Sequence, residues 1–444
     1  MNNPDYRSDQ GAPPSVDSSR PRASGFRRLS PRNLRNLHTF DSLSYPAYRF
    51  YFFGMVGQWG SMNMQMVTRS LLIYRLTDSA AILGIMSLAN AVPMLLLALF
   101  GGALADRIRK KAILQVGLAV SGLISLAVAL SLSSGYLSAA HAGSWWVLIA
   151  TSVLQGSVMA LMNPSRQAII PEIVNQEQVM NAMALNGLGM NTLRLLAPAL
   201  AGFLVDAFDF EAVYYAMTGL YLMGFFFTCF LPRGTSGTAS ADAPSHGAIA
   251  DIKEGIRYIR GETTILIILV VVLLTVLLSM PYQMLMPIFT DDILKVGATG
   301  MGILMAISGA GAMVGSLVIA SMPNRKRGLL LLSSSLLMGL ALAAFALSRS
   351  MALSLGLMVF VGIGQAGRMT LSGTLLQSYA KPEYLGRVMS IYMLNFGISS
   401  FGTFAAGVLA QTFSAPLVIA TFAVILAGGS ILSIAFLRRI SKLE

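Results

Sequence analysis

The chain has 444 residues, 55% of them hydrophobic and only 11% charged, with a mean hydropathy of +0.68. Soluble domains carry roughly 25% charged residues, so this composition speaks against a soluble enzyme of this length. The 31 Lys and Arg against 19 Asp and Glu leave a net charge of +12. Such an excess belongs either to a nucleic-acid surface or to the cytoplasmic loops of a membrane protein, and the order of the charges decides between them.

Residues 1–48 are rich in Pro, Ser and Arg and hold no apolar core, which predicts a disordered basic arm and not a cleaved signal peptide. Twelve apolar runs follow, each close to the roughly 20 residues a helix needs to cross a bilayer. They cover 49–74, 80–105, 112–133, 145–162, 179–205 and 214–231, then 264–289, 301–320, 329–347, 353–369, 389–409 and 415–436. The polar stretch 232–263 divides them into two sets of six. It begins flexible, and Ile252, Ile256 and Ile259 near its end have the spacing of a short amphipathic helix on the membrane surface. The expectation is an all-α membrane protein of twelve transmembrane helices in two pseudo-symmetric six-helix bundles. These are an N-terminal bundle at 49–231 and a C-terminal bundle at 264–437, with a linker at 232–263 and a cytoplasmic tail at 438–444.

Alternating sides along those spans puts all but six of the 31 cations on one face. Arg75, Lys295 and Arg349 fall on the other, and Arg69, Arg194 and Arg368 lie within or at the edges of spans. The positive-inside rule then places both termini in the cytoplasm and leaves no role for nucleic acid. The halves also echo each other: Val179-Met180-Asn181 leads to Asn186 with the spacing by which Val388-Met389-Ser390 leads to Asn395. Two parallel six-helix repeats around a midplane site are one way to build a transporter with alternating access.

Between the second and third spans stands Gly102-Ala103-Leu104-Ala105-Asp106-Arg107-Ile108-Arg109-Lys110-Lys111. With the rest of the chain from about Leu43 onward, it resembles the major facilitator superfamily, whose pattern there is G-x-L-x-D-R-x-G-R-[RK]; here the second glycine is missing. The resemblance implies a cytoplasmic latch of Asp106, Arg107, Arg109 and Lys110, in which the Asp106 carboxylate faces the positive N-terminal end of the eleventh span near Arg387. In the fifth span, Leu196-Ala197-Pro198-Ala199-Leu200-Ala201-Gly202 is similar to the G-P-x-x-G-G signature of exporters in the superfamily. Ala197 and Ala201 depart from it, and Pro198 and Gly202 remain as the helix-packing positions. A third string, 163–172 after the fourth span, together with Leu76-Thr77-Asp78-Ser79 and Glu254-Gly255-Ile256-Arg257-Tyr258, looks like the enterobactin-exporter efflux branch.

In that superfamily the first, fourth, seventh and tenth spans line the central cavity, and here all four carry polar stripes. The predicted substrate pathway is Gln58, Gln65 and Arg69 on the first, with Ser61 between them, and Ser152 and Gln155 on the fourth. It continues with Thr275, Ser279 and Gln283 on the seventh, Gln365 and Arg368 on the tenth, and Arg194 on the fifth. Ionisable residues in a bilayer cost roughly 2.5–3.5 kcal/mol each on insertion scales and count as functional candidates. Every carboxylate falls outside the spans or at their ends, including Asp206, Asp209, Asp291 and Asp292. Arginines without a buried acid favour neutral or anionic substrates over cations. They also leave a proton-coupled cycle without an obvious carrier residue.

The chain therefore reads as a non-enzymatic, monomeric secondary transporter of the cytoplasmic membrane. It would export a small amphiphile, siderophore-like or drug-like, with protons as one option for the coupling ion. An importer or lysolipid flippase of the same fold, and a transporter-like sensor or assembly partner, stay open as alternatives. No cofactor or metal is expected: Cys229 is the only cysteine, the histidines His38, His141 and His246 lie far apart, and there is no nucleotide-binding P-loop.

Overall fold

The computed structural model describes residues 38–141, 143–232, 248–322 and 325–436; for 38–39, 98–107, 248–252 and 396 it describes the backbone alone. All regular structure among them is helical. The long helices are α1 (Pro46–Thr77), α2 (Ala80–Arg107), α3 (Lys110–Ser133), α4 (Trp146–Ala168) and, after the one-turn α5 (Ile170–Ile173), α6 (Val179–Cys229). Then come α7 (Ala248–Gly261), α8 (Thr263–Ser279), α9 (Pro281–Ile288), α10 (Gly297–Ser321), α11 (Arg327–Leu347), α12 (Met351–Tyr379), α13 (Leu385–Phe413) and α14 (Ala415–Phe436).

Ten stretches among the described residues are long and apolar enough to cross a membrane. One of them contains the 51-residue α6, which holds two expected spans with no loop between them. Its helices meet at Asp209, whose φ of 66° and ψ of 174° break the helical path, and the Asp209 carboxylate accepts the following amide of Phe210 at 2.6 Å. The 32-residue α1 is absent from the ten because Gln58, Ser61, Asn63, Gln65 and Arg69 lower its hydropathy. The expected seventh span is divided at Pro281 into α8 and α9, and one π turn, Phe289–Ile293, closes it. Large apolar side chains stay exposed all round the long helices, among them Leu96, Val116, Leu123, Leu200, Phe203, Leu317 and Leu432. Lipid covers such surface without penalty, whereas water does not.

Several helix ends lie beyond the apolar runs. Pro46 starts α1, and Asp78 stops it in the left-handed region (φ 46°), with its N–H on the Tyr74 carbonyl. Arg69, placed at a span edge by hydropathy, is thus about two turns inside the helix. The Asn163-to-Arg166 part of the expected loop string belongs to α4, which runs through Pro164 to Ala168.

Close packing rests on small residues, as is usual where lipid removes the hydrophobic drive between helices. The second helix of α6 lies along α1: a methyl group on Gly57 would stand 2.2 Å from the Leu220 carbonyl oxygen, and the Ser61 hydroxyl donates to the Met217 carbonyl at 3.1 Å. Gly156 brings α4 onto Asn90 of α2, and Gly311 and Gly362 bring α10 and α12 together. Below, α1–α6 are called the first set and α8–α14 the second.

Candidate substrate site and gates

The polar stripe of α1 is buried. Gln58 directs its Nε2 at the sulfurs of Met159 and Met162 on α4, at 4.0 and 3.9 Å, while its Oε1 has no partner. Gln65 is buried on the same face. Arg69 is partly accessible and lies within electrostatic reach of Tyr214 and Tyr221 in the second helix of α6. One guanidinium nitrogen of Arg69 and both phenol oxygens have no hydrogen-bond partner among the described residues. On α4, the Ser152 hydroxyl donates to its own helix at Leu148, and its carbonyl accepts from Asn90 of α2. Gln155 donates to Ser121 of α3 at 3.2 Å and leaves its Oε1 unpaired. These groups bind α1, α2, α3, α4 and α6 into one polar interior.

A second cluster gathers around α12. Arg368 is only 1% exposed, and its Nε and Nη2 find no acceptor among the described residues. Arg194 of α6, Tyr282 of α9 and Tyr392 of α13 stand within electrostatic reach of it. Ser372 and Tyr392 share a hydrogen bond of 2.9 Å, and Gln283 donates to the Tyr282 hydroxyl at 3.3 Å. Gln365 is buried one turn before Arg368. Ser279 is buried with an unpaired hydroxyl, whereas Thr275 turns to its own helix and to Ser335 of α11. The structure thus brings Arg194 and Arg368, read separately from the sequence, together from different sets of helices.

Buried polar atoms normally find a partner, and each orphan calls for an explanation. Here the unpaired donors of Arg368 are those that a carboxylate or another oxyanion takes up in bidentate fashion. Sequence reading missed several orphans: Tyr214, Tyr221, Asn186 and Asn395. The two asparagines were visible as repeat markers, since they occupy matching positions in the two halves.

Of the expected latch, the side chains of Asp106 and Arg107 lie outside the described residues. Arg109 is exposed ahead of α3, and Lys110 pairs with Glu172 at 2.5 Å. Lys111 donates to the carbonyls of Cys229 and Leu231, where it meets the negative end of α6. Arg387 pairs with Glu254 of α7 at 3.0 Å and lies over the Tyr384 ring, which ties the linker helix to α13.

Pro198 and Gly202 stand where α6 crosses α10. A methyl group on Gly202 would lie 2.2 Å from the Ala298 carbonyl oxygen, and one on Gly302 would lie 2.4 Å from that of Pro198. Near the end of α1, Tyr74 is hydrogen-bonded to Asp292, and Arg75 grips Asp291 through Nε at 2.8 Å and Nη2 at 3.3 Å. Among the described residues, the contacts between the two sets run from this face toward the middle of the helices. Only the tertiary structure reveals this clasp, because its partners lie more than 200 residues apart in sequence.

The comparisons with known proteins agree with this architecture. The family model described as Major Facilitator Superfamily matches residues 51–403. The Staphyloferrin A transporter of Staphylococcus aureus is 23% identical over 348 residues, which cover 78% of this chain and 84% of that protein. The Enterobactin exporter EntS of Shigella boydii is 26% identical over 354 residues, covering 79% and 81%. Macrolide efflux protein A of Streptococcus pyogenes is 23% identical over 348 residues, covering 75% and 83%. Among solved structures, a peptide transporter of the POT family superposes with a TM-score of 0.71 at 13% identity, covering 90% of this chain and 98% of that one. The nucleoside transporter NupG gives 0.70 at 10% identity, covering 87% and 99%. The chain belongs to the Major Facilitator Superfamily and is a multi-pass membrane transporter of small molecules, not an enzyme.

Proposed function

We propose that this transporter exports a small amphiphilic compound with an anionic or neutral polar head, of the siderophore type, by alternating access. The observation that carries the reading is Arg368, buried with two unpaired donors beside Arg194. Among the described residues that cluster contains no carboxylate, so a cation entering it would meet like charge in a low-dielectric space. An anion would find its hydrogen bonds preformed.

Counting α6 as two crossings, α8 with α9 as one, and α1 as one gives twelve, in two bundles of six joined by the linker. Both termini and the α2–α3 loop then face the cytoplasm by the positive-inside rule, and the Tyr74–Asp292 clasp closes the outer face. Asp106 and its basic neighbours would latch the opposite face, and protons are the simplest coupling ion. The names of the siderophore-related relatives support the substrate class, and the efflux proteins among them support the direction.

Counterflow in proteoliposomes tests the class. Liposomes loaded with a carboxylate or catecholate chelator should exchange it for external label, and a cationic amphiphile of similar size should not. Exchange of the cation alone would overturn the reading.

A further inference from the structure

Among the described residues, the two most extensive helix crossings between the first set and the second share one construction. Where α6 meets α10, Gly202 and Gly302 provide the close approach described above. Where α13 meets α2, a methyl group on Gly407 would lie 2.6 Å from the Ala80 carbonyl oxygen, and one on Gly84 would lie 3.0 Å from that of Phe404. About one turn beyond each crossing glycine, a polar side chain reaches the start of the helix it crosses. Asp206 accepts from the backbone N–H groups of Ala298 (3.3 Å) and Thr299 (2.7 Å) at the start of α10. Gln411 accepts from the N–H of Ala81 (3.3 Å) and the hydroxyl of Ser79 (3.0 Å) at the start of α2. The first N–H groups of a helix have no partner within it and carry the positive end of its dipole. Val296, which precedes α10, caps none of them, so that helix receives its cap from the other set.

The two segments also share a sequence pattern. Gly202-Phe203-Leu204-Val205-Asp206 and Gly407-Val408-Leu409-Ala410-Gln411 both read G-x-L-x-[D/Q], and so does Gly102-Ala103-Leu104-Ala105-Asp106. The pairing of the two crossings also aligns a fourth segment, which lacks the Gly and the Leu of that pattern. The register that sets Ala298 and Gly302 on Ala80 and Gly84 also sets Asn324-Arg325 and Arg327 on Asp106-Arg107 and Arg109. The full cassette thus stands in three quarters of the molecule, and in the fourth only its polar last residue, Asn324, and the arginines after it are kept. Both copies in the first set end in an acid, whereas the copy in the second set and the aligned Asn324 end in an amide.

We propose that Asp206 and Gln411 form an outer latch, the counterpart of the Asp106 latch on the opposite face. By capping α10 and α2 they hold the two sets together at the end of α1, and they let go when the cycle opens that face. This rests on the alternating-access reading above. Asp206 is the stronger member because a carboxylate meets the helix dipole with a full charge, whereas Gln411 offers only an amide oxygen.

The test uses the full-length protein in lipid nanodiscs with Cys229→Ser, and spin labels on Ser134→Cys and Arg349→Cys, exposed positions of the two sets on that face. Double electron–electron resonance reads the distance between them. Asp206→Asn should raise the ratio of open to closed populations by up to about fivefold, because the amide keeps an acceptor for the start of α10 and loses only the charge that meets its dipole. Adding Gln411→Glu should bring the ratio back toward the parent, because the charge lost from α10 is regained on α2. An unchanged distribution in Asp206→Asn, or no restoration by Gln411→Glu, overturns the proposal. Should Asp206→Asn fail to fold, the near-isosteric Gln411→Glu alone must lower the open population, and an unchanged or raised one counts against the latch. The distances are read without substrate, so a protein that moves no chelator yet shows these shifts retains the latch and loses the transport reading.

Discussion

Arg368 of α12 lies within electrostatic reach of Arg194 of α6, and its Nε and Nη2 have no acceptor among the described residues. The two helices belong to different sets, so any ligand bridging these guanidinium groups also bridges the two sets. That is the property an alternating-access site requires.

An unpaired buried charge costs folding energy, which gives Arg368 a signature separable from transport. Arg368→Met keeps the bulk and removes the charge, so the unliganded protein should become more stable by about 1–4 kcal/mol. Thermal unfolding in detergent should show a higher midpoint while exchange of an anionic chelator is lost. Arg368→Lys should keep part of the exchange, because it preserves the charge without the bidentate fork.

The glycines divide into two groups with opposite expectations. Gly202→Ala and Gly302→Ala push a methyl group against a carbonyl oxygen and should each destabilise by about 1–3 kcal/mol. Gly219, in the second helix of α6, has open space around its missing side chain, and Gly219→Ala should stabilise by up to about 1 kcal/mol. Midpoints of the three variants under one condition check the contrast.

Arg75 and Asp291 form a two-pronged pair that remains partly exposed, at 37% and 18%. Screening by solvent limits such a pair to less than about 1 kcal/mol. Arg75→Ala should therefore lower the unfolding midpoint slightly in low salt and hardly at all near 0.5 M salt. Arg75→Asp with Asp291→Arg should recover most of the loss that either single reversal causes.

Much of this fold is legible in residue order. Apolar runs mark the helices. What hydropathy misses is where polar residues continue a helix. Arg69 looked like an edge residue because the run thins out near Tyr74, yet α1 continues until the left-handed turn at Asp78. The α6 pair looked like two spans and a loop because Asp206, Asp209 and Glu211 cluster there, and a single non-helical residue joins them instead. At the site, Arg194 and Arg368 stood out as charges in apolar surroundings, but their proximity depends on how the two sets dock. The clasp of Tyr74, Arg75, Asp291 and Asp292 was invisible for the same reason, although each residue sits at a predicted span end. Asn186 and Asn395 were noticed as a repeat, and only their unpaired amide atoms reveal them as polar orphans.

Direction and charge selectivity together form the central claim, and everted membrane vesicles test both at once. With a proton gradient imposed, vesicles containing the protein should accumulate a radiolabelled carboxylate or catecholate chelator, and vesicles containing Arg368→Gln should not. Accumulation of that compound only in right-side-out vesicles, or of a cationic amphiphile in place of the anion, would contradict the account.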